Sequence, residues 1–312
     1  MARLAPAAAF GVVLALAFAG CGGGGGDSAK GDGLSGTIEA DGSSTVAPFV
    51  TAGAERFQRE HADVRITVGV SGTGGGFERF CRGETDLSDA SRPIKPEEAQ
   101  ACKSKGVDYV EFQVANDAIT VVVNKENTWA KCLTIAQLRK IWDQGSKVKS
   151  WKQVDPKFPD VELKLYGPGT DSGTFDFFTE KVNGKDGRSR SDYSASEDDN
   201  VIVQGVAGDK GALGYFGFSY YEQNQDKLNA LAIDAGDGCV EPSVASAQSG
   251  QYPLSRPLFV YIKKTSFNRP EVKAFVRFIL DNEHELAKAA QFVPMTDAQL
   301  QKAEQAFTAV TA

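Results

Sequence analysis

The chain runs to 312 residues, 41% apolar and 24% charged, with 33 glycines and 12 prolines, a globular composition that excludes fibrous, disordered and multi-span membrane classes. Its 34 Lys and Arg face 41 Asp and Glu, a net charge of -7, so no broad basic surface exists to release counterions from a nucleic-acid backbone, and nucleic acid is not an expected partner. An anion bound by such a chain must be held by local dipoles and a few placed groups.

Residues 1–20 read as an export signal: Arg3 gives the positive start, 7–18 is apolar except for Gly11, and small Ala19 and Gly20 precede Cys21. At roughly a dozen residues the apolar stretch is shorter than the ~20 that span a bilayer. Cys21 followed by glycines 22–26 resembles a bacterial lipoprotein box, which makes 21–36 a lipidated cysteine and a glycine-rich tether. Phe18 stands where that box usually has Leu, Val or Ile, and plain cleavage and secretion is the alternative. The expected location is extracytoplasmic, either lipid-anchored to the cell membrane or periplasmic and secreted.

Cys81, Cys102, Cys132 and Cys239 remain, and an even number in an exported chain points to disulfides. Sequence does not separate the possible connectivities; the un-nested pairing, Cys81 with Cys102 and Cys132 with Cys239, is the expectation. Its loops of about 20 and about 100 residues correspond to ~3 and ~5 kcal/mol in the chain-entropy model. Zinc is the competing use, but no Cys-x-x-Cys occurs and the only histidines, His61 and His284, fall on charged, helical-looking segments. No metal and no cofactor is expected.

Along the chain, short β-rich runs alternate with amphipathic helices, which predicts an α/β fold with a largely parallel sheet. Strands are expected at 37–40, 64–70, 109–114, 118–124, 161–166, 212–216 and 258–263. Helices are expected at 48–61, 77–82, 172–181, 201–207 and, as one long element, 270–292. Thr134 with Gln137 forms a capping box ahead of a further helix. There is no internal repeat. So many ordered residues exceed one comfortable core. If the runs near 109–124 and 255–263 both cross between halves, lobe I is 37–115 with 256–312 and lobe II is 116–255, an arrangement suited to hinge closure on a ligand. The alternative is one large sheet with helices on both faces.

The informative device is a turn of glycine and hydroxyl residues that leads from a strand into a helix, and it occurs three times, at 42–48, 71–77 and 167–175. Each exposes the unsatisfied N–H groups of a helix start, which carry about half a positive charge and favour an anion. Glycine lets backbone approach closely, and hydroxyls add donors without charge. Any one turn alone is ordinary capping chemistry. None is a Walker loop, and none gives Gly-x-Gly-x-x-Gly. A fourth segment, 85–94, carries Arg92, able either to grip an oxyanion or to pair with Asp89 or Glu97 at the surface.

Together the motifs Asp-Gly-Ser-Ser-Thr-Val-Ala-Pro (41–48), Val-Gly-Val-Ser-Gly-Thr-Gly-Gly-Gly-Phe (68–77), Asp-Ala-Ser-Arg-Pro-Ile (89–94), Gly-Thr-Asp-Ser-Gly-Thr-Phe (169–175) and Gly-Ala-Leu-Gly-Tyr-Phe (211–216) resemble the PstS-like substrate-binding proteins of bacterial phosphate ABC transporters. The resemblance implies a two-lobe periplasmic-binding-protein (type II) fold, with phosphate closed between the lobes and delivered by a monomer to a membrane permease and its ATPase. It also implies phosphate ligands at Ser44 and Thr45, at Ser71, Gly72 and Thr73, and at Ser172, Gly173 and Thr174, with Asn200 near a position that lines the cleft in some members.

Two departures stand out. Well-studied members place an aspartate where this chain has Ser91 and an arginine near Pro168; here Arg92 follows Ser91, as in a sub-group with an Ala-Ser-Arg-Pro signature. Ser91 and Arg92 are therefore included in the expected site. Phosphate near neutral pH carries a proton that needs an acceptor, whereas sulfate has none to give. Asp171, Asp41 and Asp117 are the candidate acceptors, and Asp171 is preferred because it lies inside the third turn. Another oxyanion, such as sulfate or molybdate, is the near alternative. A phosphatase using Ser44, Ser172 or Thr174 as nucleophile would lack a nearby histidine base and a metal cluster, so no enzyme activity is expected.

Overall fold

The computed structural model describes residues 33–312; the export signal at 1–20 and the Cys21 anchor lie outside the described residues. The chain enters through β1 (Gly36–Gly42), α1 (Ala47–Glu60), β2 (Val64–Gly69), α2 (Gly72–Cys81), β3 (Leu87–Ala90) and α3 (Pro96–Ser104). The long strand β4 (Tyr109–Asn124) leads to β5 (Cys132–Thr134), α4 (Ile135–Trp142), α5 (Trp151–Val154), β6 (Lys164–Gly167) and α6 (Gly173–Asn183). Next come β7 (Ser194–Ala195), α7 (Asp199–Ala207), β8 (Ala212–Gly217), α8 (Phe218–Gln223), β9 (Leu228–Ala230), β10 (Ala232–Asp234), β11 (Cys239–Val240) and α9 (Val244–Gln248). The return strand β12 (Ser255–Lys263) precedes α10 (Pro270–Asp281), α11 (Glu283–Ala289) and α12 (Asp297–Thr311).

Strands follow the order β2-β1-β3-β12-β4-β8-β6-β7, with β9 beside β4. β1 runs parallel to β2 and β3, and β6 parallel to β7 and β8, but β12 is antiparallel to both β3 and β4, and β4 is antiparallel to β8. The expected largely parallel sheet is therefore a mixed one. The reason is that β4 carries the chain out of one half and β12 brings it back, so the two lie side by side in opposite directions.

β4 is continuous where two strands, 109–114 and 118–124, were expected. Asn116 and Asp117 interrupt its apolar run, yet both are buried because distant groups satisfy them. Asn116 exchanges backbone hydrogen bonds with Val293 (2.8 and 2.9 Å), and Asp117 accepts from Arg256 at 3.1 Å. The first part of β4 pairs with β12 and the rest, from Ile119, with β8, so one strand serves two cores. In one, Ile38, Phe49, Leu87, Phe112, Leu258 and Phe275 pack together. In the other, Ile119, Leu138, Trp142, Phe178, Leu213 and Tyr215 do. Trp142 meets Tyr215 edge-on at 4.9 Å between centroids and Phe178 at 5.8 Å, an arrangement aromatic pairs favour. We refer to the two halves as the first and second lobes.

Local signals explain most boundaries. Thr134 accepts from the Gln137 N–H at 3.0 Å and starts α4 as its capping box predicts. α2 begins at Gly72, five positions before the expected helix, because its glycines allow contact: a Cβ on Gly76 would lie 2.5 Å from the Gly42 Cα. The single helix expected at 270–292 is two, since the Asn282 side chain donates to the Phe278 carbonyl (2.9 Å) and competes with the ladder there. Residues 161–163 precede β6 rather than forming part of it.

The disulfides pair Cys81 with Cys102 and Cys132 with Cys239, Cα atoms 4.2 and 6.1 Å apart. The first ties α2 to α3. The second ties β5 to β11 at the edges of the small sheet β11-β10-β5. No cysteine of this set is left for zinc.

Candidate functional site

The C-terminal ends of the parallel strands β1, β2 and β3 meet at one edge of the first lobe, where each chain segment turns toward a helix. After β1, the Ser43 N–H donates to the Asp89 carbonyl (2.9 Å) and the Ser43 carbonyl accepts from the Ala47 N–H (3.0 Å), which leaves Ser44 and Thr45 at the open start of α1. After β2, Asp41 accepts from the Ser71 N–H at 3.0 Å and forms an ion pair with Arg79, fixing the glycine turn that opens α2. Thr73 and Ser91 join the second turn to the end of β3: their hydroxyls lie 3.1 Å apart, and the Ser91 N–H donates to Thr73 Oγ1 at 3.2 Å.

These groups line a cleft of about 370 Å³. Ser43, Ser44 and Thr45 form one part of its first-lobe wall, and Ser71, Gly72, Thr73 and Gly74 another. Ser91, Arg92 and Lys95 complete that wall. The opposite wall is Asp176, Phe177 and Glu180 of α6 with Asp186 beyond it, and Arg256 enters from β12.

Arg256 is the cation at the meeting point. It donates from Nε to Asp117 (3.1 Å), from Nη2 to Thr45 Oγ1 (2.9 Å) and to the Gly173 carbonyl (3.4 Å), and its guanidinium lies 3.9 Å from the Phe177 ring centroid. Burial lowers its pKa and Asp117 opposes this; a guanidinium stays charged regardless. A Cβ on Gly173 would sit 2.3 Å from Thr45 Oγ1, so only glycine allows α6 to approach the first turn this closely. Sequence reasoning missed Arg256 because nothing local marks it.

Arg92 stands in the wall as expected, but its terminal nitrogens fork the Glu98 carboxylate at 2.8 and 2.7 Å. The pairing with Asp89 or Glu97 does not occur. Glu98 raises the Arg92 pKa by direct hydrogen bonding, and the fork turns most of its donor capacity away from the cleft.

The PBP superfamily domain model matches residues 27–283. SphX of Synechococcus elongatus is 50% identical over 262 residues, 83% of this chain and 77% of that protein. The phosphate-binding protein PstS of Staphylococcus epidermidis is 43% identical over 277 residues, covering 88% of this chain and 83% of its own. The chain belongs to the PstS-like family. The crystal structure of a possible phosphate-binding protein from Planctomyces limnophilus superposes with a TM-score of 0.86 at 48% identity, covering 89% of this chain and all (100%) of that one. The two-lobe, type II periplasmic-binding-protein fold of the PstS-like proteins is thus the fold of this chain.

Within this PstS-like frame the third turn contributes differently from expectation. The Ser172 hydroxyl accepts from the Thr174 N–H at 3.2 Å as the cap of α6, and neither residue lines the cleft; Gly173 reaches it only through Thr45 and Arg256. Asp171 is exposed, its N–H directed to Glu197 at 3.4 Å. Asn200 is also exposed, with its backbone N–H and side-chain amide both donating to Asp198 at 2.9 and 3.0 Å. Asp171 and Asn200 therefore lie outside the cleft, Asp171 exposed beside Glu197 and Asn200 held by Asp198, the cap of α7.

The side chains α6 does present are Asp176, Phe177 and Glu180, three, four and seven residues after Gly173 and so on one helical face. That spacing is legible in the sequence. Burial, then the charge of Asp186 and its hydrogen bond, pushes the Asp176 carboxyl up to about 6, with Arg256 and the Ser44 hydroxyl opposing.

Proposed function

We propose that the protein binds inorganic phosphate in this cleft and delivers it to the permease and ATPase of a phosphate ABC transporter. The observation that carries the reading is the convergence of two helix-start turns, Ser44–Thr45 and Ser71–Thr73, with the Ser91 hydroxyl and the Arg256 guanidinium around one small cavity. Neutral donors and one preorganised cation suit a compact oxyanion, as the net acidic charge of the chain requires. Membership of the PstS-like family, among them relatives named phosphate-binding protein, supports the same ligand.

The family is one of solute-binding proteins, and the cleft is read here as binding without catalysis. Ser44 and Thr45 offer donors, and neither histidine lines the cavity to act as their base. The core that holds Ile38, Phe112 and Leu258, and the other that holds Ile119, Leu213 and Leu254, support lobe boundaries at 37–115 with 256–312 and at 116–255. We assign 1–20 to the export signal and 21–36 to a lipid-anchored tether, with a monomer acting outside the cytoplasm.

Titration calorimetry on ligand-stripped protein with phosphate, sulfate and molybdate tests the reading. Tight binding of phosphate alone is expected. Preference for another of these anions would reassign the ligand, release of product from an artificial phosphate ester would reassign the class, and failure to bind any would remove the reading altogether.

A further inference from the structure

α11 ends at Ala289 and the chain then turns on Gln291, whose φ of 62° makes it the one non-glycine residue with a left-handed backbone among the described residues. In its backbone bonds the turn is an ordinary helix end: the Gln291 N–H donates to the Lys288 carbonyl (3.1 Å) and the Phe292 N–H to the Ala287 carbonyl (2.8 Å). Glycine is the usual residue at that position because a side chain there is strained, and Gly184 takes the same conformation at the end of α6. Gln291 makes a contact that glycine could not: its Oε1 accepts from Gln223 Nε2 at 3.2 Å. Its carbonyl also accepts from the Ser219 hydroxyl at 2.9 Å, so both partners stand on α8.

These bonds join the two lobes. α11 packs Leu286 and Ala287 into the first core, whereas α8 packs Phe218 into the second. Beyond Gln291 the chain stays at the boundary. Phe292 rests on the first core, Val293 is buried in the second and exchanges backbone bonds with Asn116 of β4, and the Pro294 carbonyl accepts from Gln248 at 2.9 Å. Ser219, Gln223, Gln248 and Gln291 line one cavity of about 440 Å³, which shares no lining residue with the anion cleft among the described residues.

We propose that Gln291 is a positioning residue for the phosphate site: from a strained helix end outside the cleft it ties the first lobe to α8 of the second, and so favours the arrangement in which α6 meets the first-lobe turns. This rests on the phosphate reading above. The tie is present in the arrangement that sets Gly173 against Thr45. Its partners belong to opposite lobes, so a relative shift of more than ~0.6 Å carries the 2.9 Å bond out of hydrogen-bonding range. Without the tie a larger share of molecules has the walls apart, and a ligand that needs both walls binds more weakly in proportion.

Gln291→Gly separates the helix end from the tie, because the two respond with opposite signs. Relief of the left-handed strain should raise the unfolding midpoint of the ligand-free protein by roughly 1–4 °C. Loss of the Gln223 bond should at the same time weaken phosphate binding roughly two- to tenfold in titration calorimetry. Gln291→Ala keeps the strain and should show the weaker binding without the gain in midpoint. Gln223→Ala, on the other lobe, should weaken binding by a similar factor, and the double variant Gln223→Ala/Gln291→Ala no further, since both substitutions remove the same bond. Parent-like phosphate affinity in Gln291→Gly overturns the inference and leaves an ordinary helix end; additive losses in the double variant overturn it as well. A parent that binds no phosphate overturns the functional reading and this inference with it, a result distinct from phosphate binding that ignores Gln291.

Discussion

The two walls of the cleft reach it by different structural routes. The first-lobe wall is made at the ends of parallel strands, where β1, β2 and β3 stop and their turns leave N–H and hydroxyl groups facing outward. The second-lobe wall is one face of α6, which presents Asp176 and Glu180 around the ring of Phe177. A strand-end wall is a donor surface by construction, because helix starts leave their N–H groups unpaired. A helix-face wall carries whatever side chains the period brings round, here acceptors. One surface offers donors and the other acceptors around an aromatic ring, and Arg256 joins them through Thr45 and the Gly173 carbonyl.

Removing that joint should have the largest effect. Arg256→Ala leaves Asp117 buried without its partner, a loss expected to cost about 3–5 kcal/mol of stability and to abolish measurable phosphate binding. Thermal denaturation with calorimetry checks both, and a variant as stable and as tight-binding as the parent would show that the walls are joined by other means.

Gly173→Ala addresses the approach of the walls without touching a donor. Its methyl group would fall on Thr45, an overpacking expected to cost about 1–3 kcal/mol, felt mainly as weaker binding because closure is what it obstructs. Comparing the small-angle scattering of parent and variant with phosphate present would show whether the variant stays open.

Within the first wall, Ser44→Ala should weaken binding by about 1–2 kcal/mol, since it removes one donor from a buried ligand oxygen. Thr174→Ala should weaken it less than Ser44→Ala, because the Thr174 side chain does not line the cavity. Equal losses in calorimetry would mean that α6 turns its first residues toward the anion on binding. The smallest change is expected of Arg92→Ala, about 1 kcal/mol or less, because Glu98 already occupies its guanidinium. A larger loss would move the cationic grip from Arg256 to Arg92.

The first wall was legible in the sequence and the second was not, for the same physical reason. Ser44, Thr45, Gly72 and Thr73 reach the cleft through local geometry, a strand followed by a turn and a helix start, which a few consecutive residues disclose. Arg256 and Thr45 are 211 positions apart, and no local pattern brings them together. Asp171 and Asn200 are expected in the site from membership of a turn and from family likeness, neither of which says which way a side chain faces; Asp171 is exposed, and the Asn200 amide is held by Asp198. Polarity misled in the fold as well. Asn116 and Asp117 resemble a strand break until Val293 and Arg256 are supplied from elsewhere, and Asn282 lies within a helical period that its own side chain interrupts. The disulfides were predicted because exported cysteines have few alternatives, and the un-nested pairing is the one formed.

The most direct test is a crystal structure of the protein with phosphate bound. The account predicts one tetrahedral anion within hydrogen-bonding distance of the Ser44–Thr45 and Ser71–Thr73 turns and of Arg256. An anion bound elsewhere, or one held between the lobes with Arg256 still wholly engaged by Asp117 and Thr45, would contradict it.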